Sequence, residues 1–198
     1  MDPADKRLGS LEGAGLSVSL HPEEWTPIAK LGGNPTWELR RPGATFLHAH
    51  RLSKAQKTLV MTWGLSEGLV ESCDLWRWRR YDDELETTIT SYEISEEDAR
   101  AEADDGDGGI FGTIRKVKGH RSTAKLVDLS RQHGGVEGSD FVLDLLYPLY
   151  AEQHLDVDGV WWADELSPYA YSAPRGVILL SKLPLWTVRP ARPEQDAA

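Results

Sequence analysis

Residues 72–92, SCDLWRWRRYDDELETTITSY, decide the fold class. The first ten alternate. Leu75, Arg77 and Arg79 share one face, and Trp76, Trp78 and Arg80 share the other, which is the two-residue period of a strand. Asp82 and Asp83 suit a turn, and residues 86–92, rich in Thr, Ile and Tyr, return antiparallel. The rest of the chain mixes strand and helix signals without a regular βαβ alternation. The expectation is therefore an α+β domain with a mixed or antiparallel sheet, a long central hairpin and three to four helices.

Upstream of the hairpin, residues 15–20 (GLSVSL) alternate as a half-buried strand. A helix is expected from Pro22, with Glu23 and Glu24 in its first turn and a stop at Gly32-Gly33. Two short strands, 36–40 and 44–48, flank a Pro42-Gly43 turn. Ser53 caps a helix with Ala55, Leu59, Val60 and Trp63 at helical spacing and Gly64 at its end.

Downstream, Ser95 opens a second helix, followed by the acidic loop 104–109. A strand is expected over 110–117, while 123–129 fits either helix or strand. Ser139 caps a helix whose buried stripe is Phe141, Val142, Leu145, Leu146 and Leu149, with a kink at Pro148. Residues 159–163 and 176–181 read as strands. The domain spans 15–186, after a flexible segment 1–14 and before a disordered tail 187–198 that has little to bury.

At 198 residues the chain can bury a sizeable core, and its eight tryptophans floor either that core or a groove. A formal charge of −10 argues against bulk contact with nucleic acid and suits a basic protein partner. Cys73 is the single cysteine, so no internal disulfide forms. No run approaches membrane-spanning length, and the chain reads as cytoplasmic.

Phosphate-loop, dinucleotide-fingerprint and HExxH motifs are absent. His48 and His50 place two imidazoles on one side of a strand but lack a marked third ligand, so no metal site is assigned. Asp82, Asp83, Glu84 and Glu86 could chelate a hard cation, and Asp104, Asp105 and Asp107 resemble half of a calcium loop without its closing Glu, but both groups read more readily as solvated acids. Arg77, Arg79 and Arg80 beside Trp76 and Trp78 form either a cation–indole platform for a base or phosphate, or the outer face of a sheet.

Two segments, GLSVSLHPEEW at 15–25 and DGVWW followed by YSAPRGVILLSKLPLW at 158–186, resemble the ADP-ribosyltransferase-like toxin superfamily. There a Ser-containing strand feeds a helix, and a "DGV" strand, a loop and a last strand close the domain. The resemblance implies binding of NAD or a related nucleotide and modification of a macromolecular target. It assigns Asp164 or Glu165 as the catalytic acid, and Ser17, Ser19, Tyr169, Tyr171 and Arg175 to the nucleotide. A carboxylate is needed because the nicotinamide–ribose bond breaks through an oxocarbenium-like state. Pro174 and Arg175 stand where the family carries Glu at the start of the last strand. The alternative expectation is a non-catalytic acidic module of immunity or inhibitor type that binds a basic partner.

Overall fold

The alternation over 72–92 becomes pairing. The computed structural model describes residues 15–20, 37–82, 87–104, 113–132, 143–163 and 174–191. In chain order these form β1 (Gly15–Val18), β2 (Trp37–Arg40), β3 (Phe46–His48), α1 (Lys54–Ser66), β4 (Val70–Asp82) and β5 (Thr87–Glu93). There follow α2 (Glu96–Ala103), β6 (Thr113–Ser122), α3 (Ala124–Gln132), α4 (Leu146–His154), β7 (Gly159–Trp162), β8 (Arg175–Leu179) and β9 (Thr187–Pro190). The fold is α+β.

β4 pairs antiparallel with β5, from Trp76 opposite Glu93 to Asp82 opposite Thr87. It also pairs antiparallel with β6, from Val70 opposite Ser122 to Arg79 opposite Thr113. The even-numbered face of β4 carries Trp76 and Trp78, and α2 covers it. Trp78, Ala99 and Ala103 form a buried cluster there, with Trp76, Ile89 and Ile114 against it. Ser95 caps α2, its hydroxyl accepting from the Asp98 amide at 3.0 Å.

A second sheet has the order β1-β8-β7-β3, antiparallel except for the parallel β3–β7 pair. Val177, Ile178 and Leu179 on its central strand β8 are at most 1% exposed, so both faces of this sheet are covered. Each such side chain contributes about 1.5–3 kcal/mol through burial. One face packs Val177, Leu179, Val160 and Trp162 against Ala151 of α4. The other holds the edge-to-face rings of Phe46, Trp161 and Trp186. A β-carbon at Gly176 would clash with the Trp161 ring, and one at Gly159 would meet the Phe46 ring and the Val177 carbonyl. These two glycines let the rings lie down on the sheet.

A third cluster, of Val60, Leu69, Val70, Leu126, Leu145 and Leu146, joins α1, α3 and α4 to the start of β4, and Tyr147 borders both it and the sheet core. Asp158, 4% exposed, pins the chain before β7. Its carboxylate accepts from the Thr45 amide at 2.8 Å and pairs with Arg41, while its backbone carbonyl accepts from the Leu179 amide.

Several elements differ from expectation. Gly64 lies inside α1, not at its end, because Leu146 and Val70 press on the place a side chain would occupy. The helix stops instead at Gly68, whose φ of +66° favours glycine. Val60 and Trp63 face inward, but Ala55 and Leu59 are exposed. Residues 124–132 resolve the ambiguous segment as helix. Pro148 sits in the first turn of α4, where its missing N–H costs no helical hydrogen bond, so it introduces no break. The strands at 37–40 and 46–48 do not pair with each other. β2 pairs with β9, inside the tail expected to be disordered. There Glu38 is held by Arg40 and Arg189, and the Thr187 hydroxyl donates to the Arg40 carbonyl at 3.0 Å. The expected helix from Pro22 and the segments 1–14 and 192–198 lie outside the described residues.

Gly176→Ala forces Trp161 off the sheet and should lower the unfolding free energy by about 1–3 kcal/mol, the range for overpacking. Urea unfolding followed by Trp fluorescence measures it. An unchanged midpoint contradicts the ring-on-glycine packing.

Candidate functional site

Pairing of β1 with β8 sets Val18 opposite Gly176, so Ser19, one residue on, stands opposite Arg175. The Ser19 hydroxyl donates to the Pro174 carbonyl at 3.1 Å. On the other side of β8, Trp162 of β7 is the direct partner of Arg175. Continuing the β1 register by one residue, 19, 175 and 162 thus form one row from the end of β1 across β8 and β7, on the face that carries Val177 and Leu179 toward α4. The row lies where this apolar face ends.

The Arg175 guanidinium lies over the Trp162 ring, 5.1 Å from its centroid, and donates to Asp144 Oδ2 at 3.2 Å. Its side chain is 22% exposed, whereas Asp144 is 63% exposed. Asp144 belongs to the 3-10 turn Leu143–Leu145 that leads into α4. Tyr147 follows three positions later, on the same helical side. Burial raises its phenol pKa, and the nearby charge of Asp144 raises it further. Trp162 is buried, yet its indole N–H has no acceptor among the described residues. The site therefore offers a reachable guanidinium backed by an aromatic ring, one exposed carboxylate and an unused indole donor. This is the equipment of an anion-binding site with a stacking wall.

Of the expected nucleotide residues, the structure brings Ser19 and Arg175 together. Ser17 lies further along β1, opposite Val177 and half-buried. Asp164, Glu165, Tyr169 and Tyr171 lie outside the described residues. Asp144, Tyr147 and Trp162 were not singled out from the sequence. The adjacent tryptophans at 161 and 162 were the one local signal near them.

The other candidates resolve differently. His48 ends β3, but His50 sits in the 3-10 turn Ala49–Arg51, so the two do not share one side of a strand. Their rings meet edge to face at 5.5 Å. Among the described residues no three His, Cys, Asp or Glu side chains are grouped to hold a metal ion. Trp76 and Trp78 belong to the core beneath α2, with Trp78 Nε1 donating to Glu93 at 3.3 Å and Arg80 over the Trp78 ring at 5.7 Å. Arg77 and Arg79 occupy the opposite face of that sheet. Asp104 is exposed at the end of α2, while Asp83, Glu84, Glu86, Asp105 and Asp107 lie outside the described residues.

No family model, no curated protein sequence and no solved structure matches the chain.

His48 carries a pH signature. Burial holds its pKa below the usual 6.5, and the Arg51 and His50 charges push in the same direction. Its Nδ1 is buried without a partner among the described residues. The unfolded chain thus binds a proton before the folded chain does. This stability is complete above about pH 6.5 and is lost as the pH falls through that value toward the depressed folded pKa. Thermal unfolding at pH 7.5, 6.0 and 5.0 should show a falling Tm, with the fall reduced in His48→Gln. Parallel curves for the two proteins contradict the assignment.

Proposed function

We propose that the chain is a divergent ADP-ribosyltransferase-like protein that binds NAD or a related nucleotide at the Arg175 end of the four-stranded sheet and acts on a macromolecular target. The observation that carries this reading is the hydrogen bond from Ser19 to the carbonyl of Pro174, which sets Ser19 beside Arg175, 156 positions away in sequence, and its Trp162 ring. Two segments that resemble one superfamily thereby lie on adjacent strands.

Arg175 would hold the pyrophosphate. Among its contacts is the ion pair with Asp144, which is largely exposed, and such a pair is worth only about 0–1 kcal/mol. A phosphate could take the place of that one contact at little cost, and the guanidinium fork matches phosphate geometry. Trp162 backs the guanidinium and supplies a donor that lacks an acceptor among the described residues, so the residues present fit a nucleotide. The resemblance assigns charge stabilisation at the ribose to Asp164 or Glu165, and stacking to Tyr169 or Tyr171.

The second reading, a non-catalytic acidic module, is favoured by the formal charge of −10 and by Pro174 and Arg175 standing where the resembled superfamily has Glu. It calls for salt-sensitive capture of a basic protein and no response to NAD.

Incubation with NAD should release nicotinamide and raise the melting temperature of the full chain. Arg175→Lys keeps the charge but loses the fork, and should weaken NAD binding about tenfold, or about 1.4 kcal/mol. Absence of both the melting shift and nicotinamide release rules out the nucleotide reading. A shift without release supports binding by an inactive relative.

A further inference from the structure

The three-stranded sheet has a second face that none of the buried clusters uses; Leu75 is buried at one end of it, and the face opens from Arg77 onward. Alternation along β4 and its partners puts Arg77, Arg79 and Tyr81 on that face. In the registers given, Arg77 stands directly opposite Tyr92 on one side and Arg115 on the other. Arg79 stands between Thr90 and Thr113, and Tyr81 opposite Thr88. Tyr92 is 43% and Tyr81 46% exposed, and Arg79, Arg115 and the three threonines are exposed as well.

Elsewhere on this sheet the cations are paired. Lys116 and Lys118 meet Asp74, and Arg121 meets Glu71 at 2.6 Å. Among the described residues Arg77, Arg79 and Arg115 have no carboxylate partner. Two like charges directly opposite each other on neighbouring strands weaken a sheet. A protein with ten more acids than bases nonetheless places Arg77 against Arg115, with no carboxylate among the described residues to offset either. An incoming anion would remove that repulsion.

We propose that this face binds a short segment of single-stranded nucleic acid. The arginines would contact successive phosphates, and Tyr92 and Tyr81 would stack bases. Strand geometry gives a patch about 10 Å across three strands and about 14 Å long, enough for a few nucleotides. The exposed tyrosines favour a nucleic acid over an acidic peptide, because carboxylates need arginine forks but not flat rings. The formal charge of −10 forbids long, unspecific tracking along a polyanion but not a contact of this size. The face lies on a different sheet from Arg175, and the inference is independent of the nucleotide reading.

The test is fluorescence anisotropy of a labelled ten-nucleotide oligothymidine with the full chain, between 25 and 200 mM salt. Binding should weaken with a log–log slope of about −2, as expected for three phosphates on a single strand. Arg77→Gln with Arg115→Gln should lower affinity at least tenfold, with a melting temperature unchanged or raised as the repulsion goes. Tyr92→Ala should lower affinity at least about fivefold, and a duplex of the same length should bind more weakly. No binding at 25 mM salt overturns the proposal, as does binding indifferent to the arginine pair. A poly-glutamate peptide that competes equally well, with Tyr92→Ala without effect, reassigns the face to acidic proteins and also overturns it.

Discussion

The ladder β1–β8–β7 is the constraint on which the rest of the structure depends. Its central strand has three side chains with almost no exposed surface, and their burial is available only when both faces of the sheet are covered. Covering one face requires rings pressed onto glycines at 159 and 176, and covering the other requires α4. A slip of β1 by one residue would turn Leu16 and Val18 to the opposite side and take Ser19 away from Arg175. The register that fills the core is therefore the one that assembles the row 19–175–162. Asp158 ties the same sheet to the loop before β3 through backbone and carboxylate together.

The parts of this fold that were legible in the sequence are those specified by neighbours in the chain. The hairpin over 72–92 has an unbroken two-residue period, and Ser53 and Ser95 are caps whose partners lie three residues away. What escaped reading depends on distant contacts. Gly64 looks like a helix stop until Leu146 is packed against it. Pro148 looks like a kink until the helix is seen to begin two residues earlier. Residues 187–190 have no apolar pattern, and they become a strand only because β2, nearly 150 residues upstream, supplies backbone partners and Glu38 an ion pair.

The candidate site divides in the same way. Ser19 and Arg175 could be named because each sits in a segment of recognisable form. Asp144 could not, since nothing local connects an acid in an amphipathic turn with an arginine on the last strand of the sheet. Trp162 was one of two adjacent tryptophans that the sequence left between core and groove. Its partner Trp161 faces the other way into the Phe46 and Trp186 cluster, and only the register separates the two roles. The cation–indole patch on β4 failed as a unit for the reason that makes strands readable. Alternation sends the tryptophans under α2 and two of the arginines, half-buried Arg77 and exposed Arg79, to the opposite face.

The claim that the Arg175 row is a nucleotide site is tested most directly by a nitrogen-edited NMR titration of the full chain with NAD. The account predicts that the Trp162 indole N–H and the amides of Ser19 and Arg175 move together along one binding isotherm, while the Trp78 indole stays fixed. Resonances of 19, 162 and 175 that remain still at millimolar NAD, or movement confined to the β4 sheet, would contradict it.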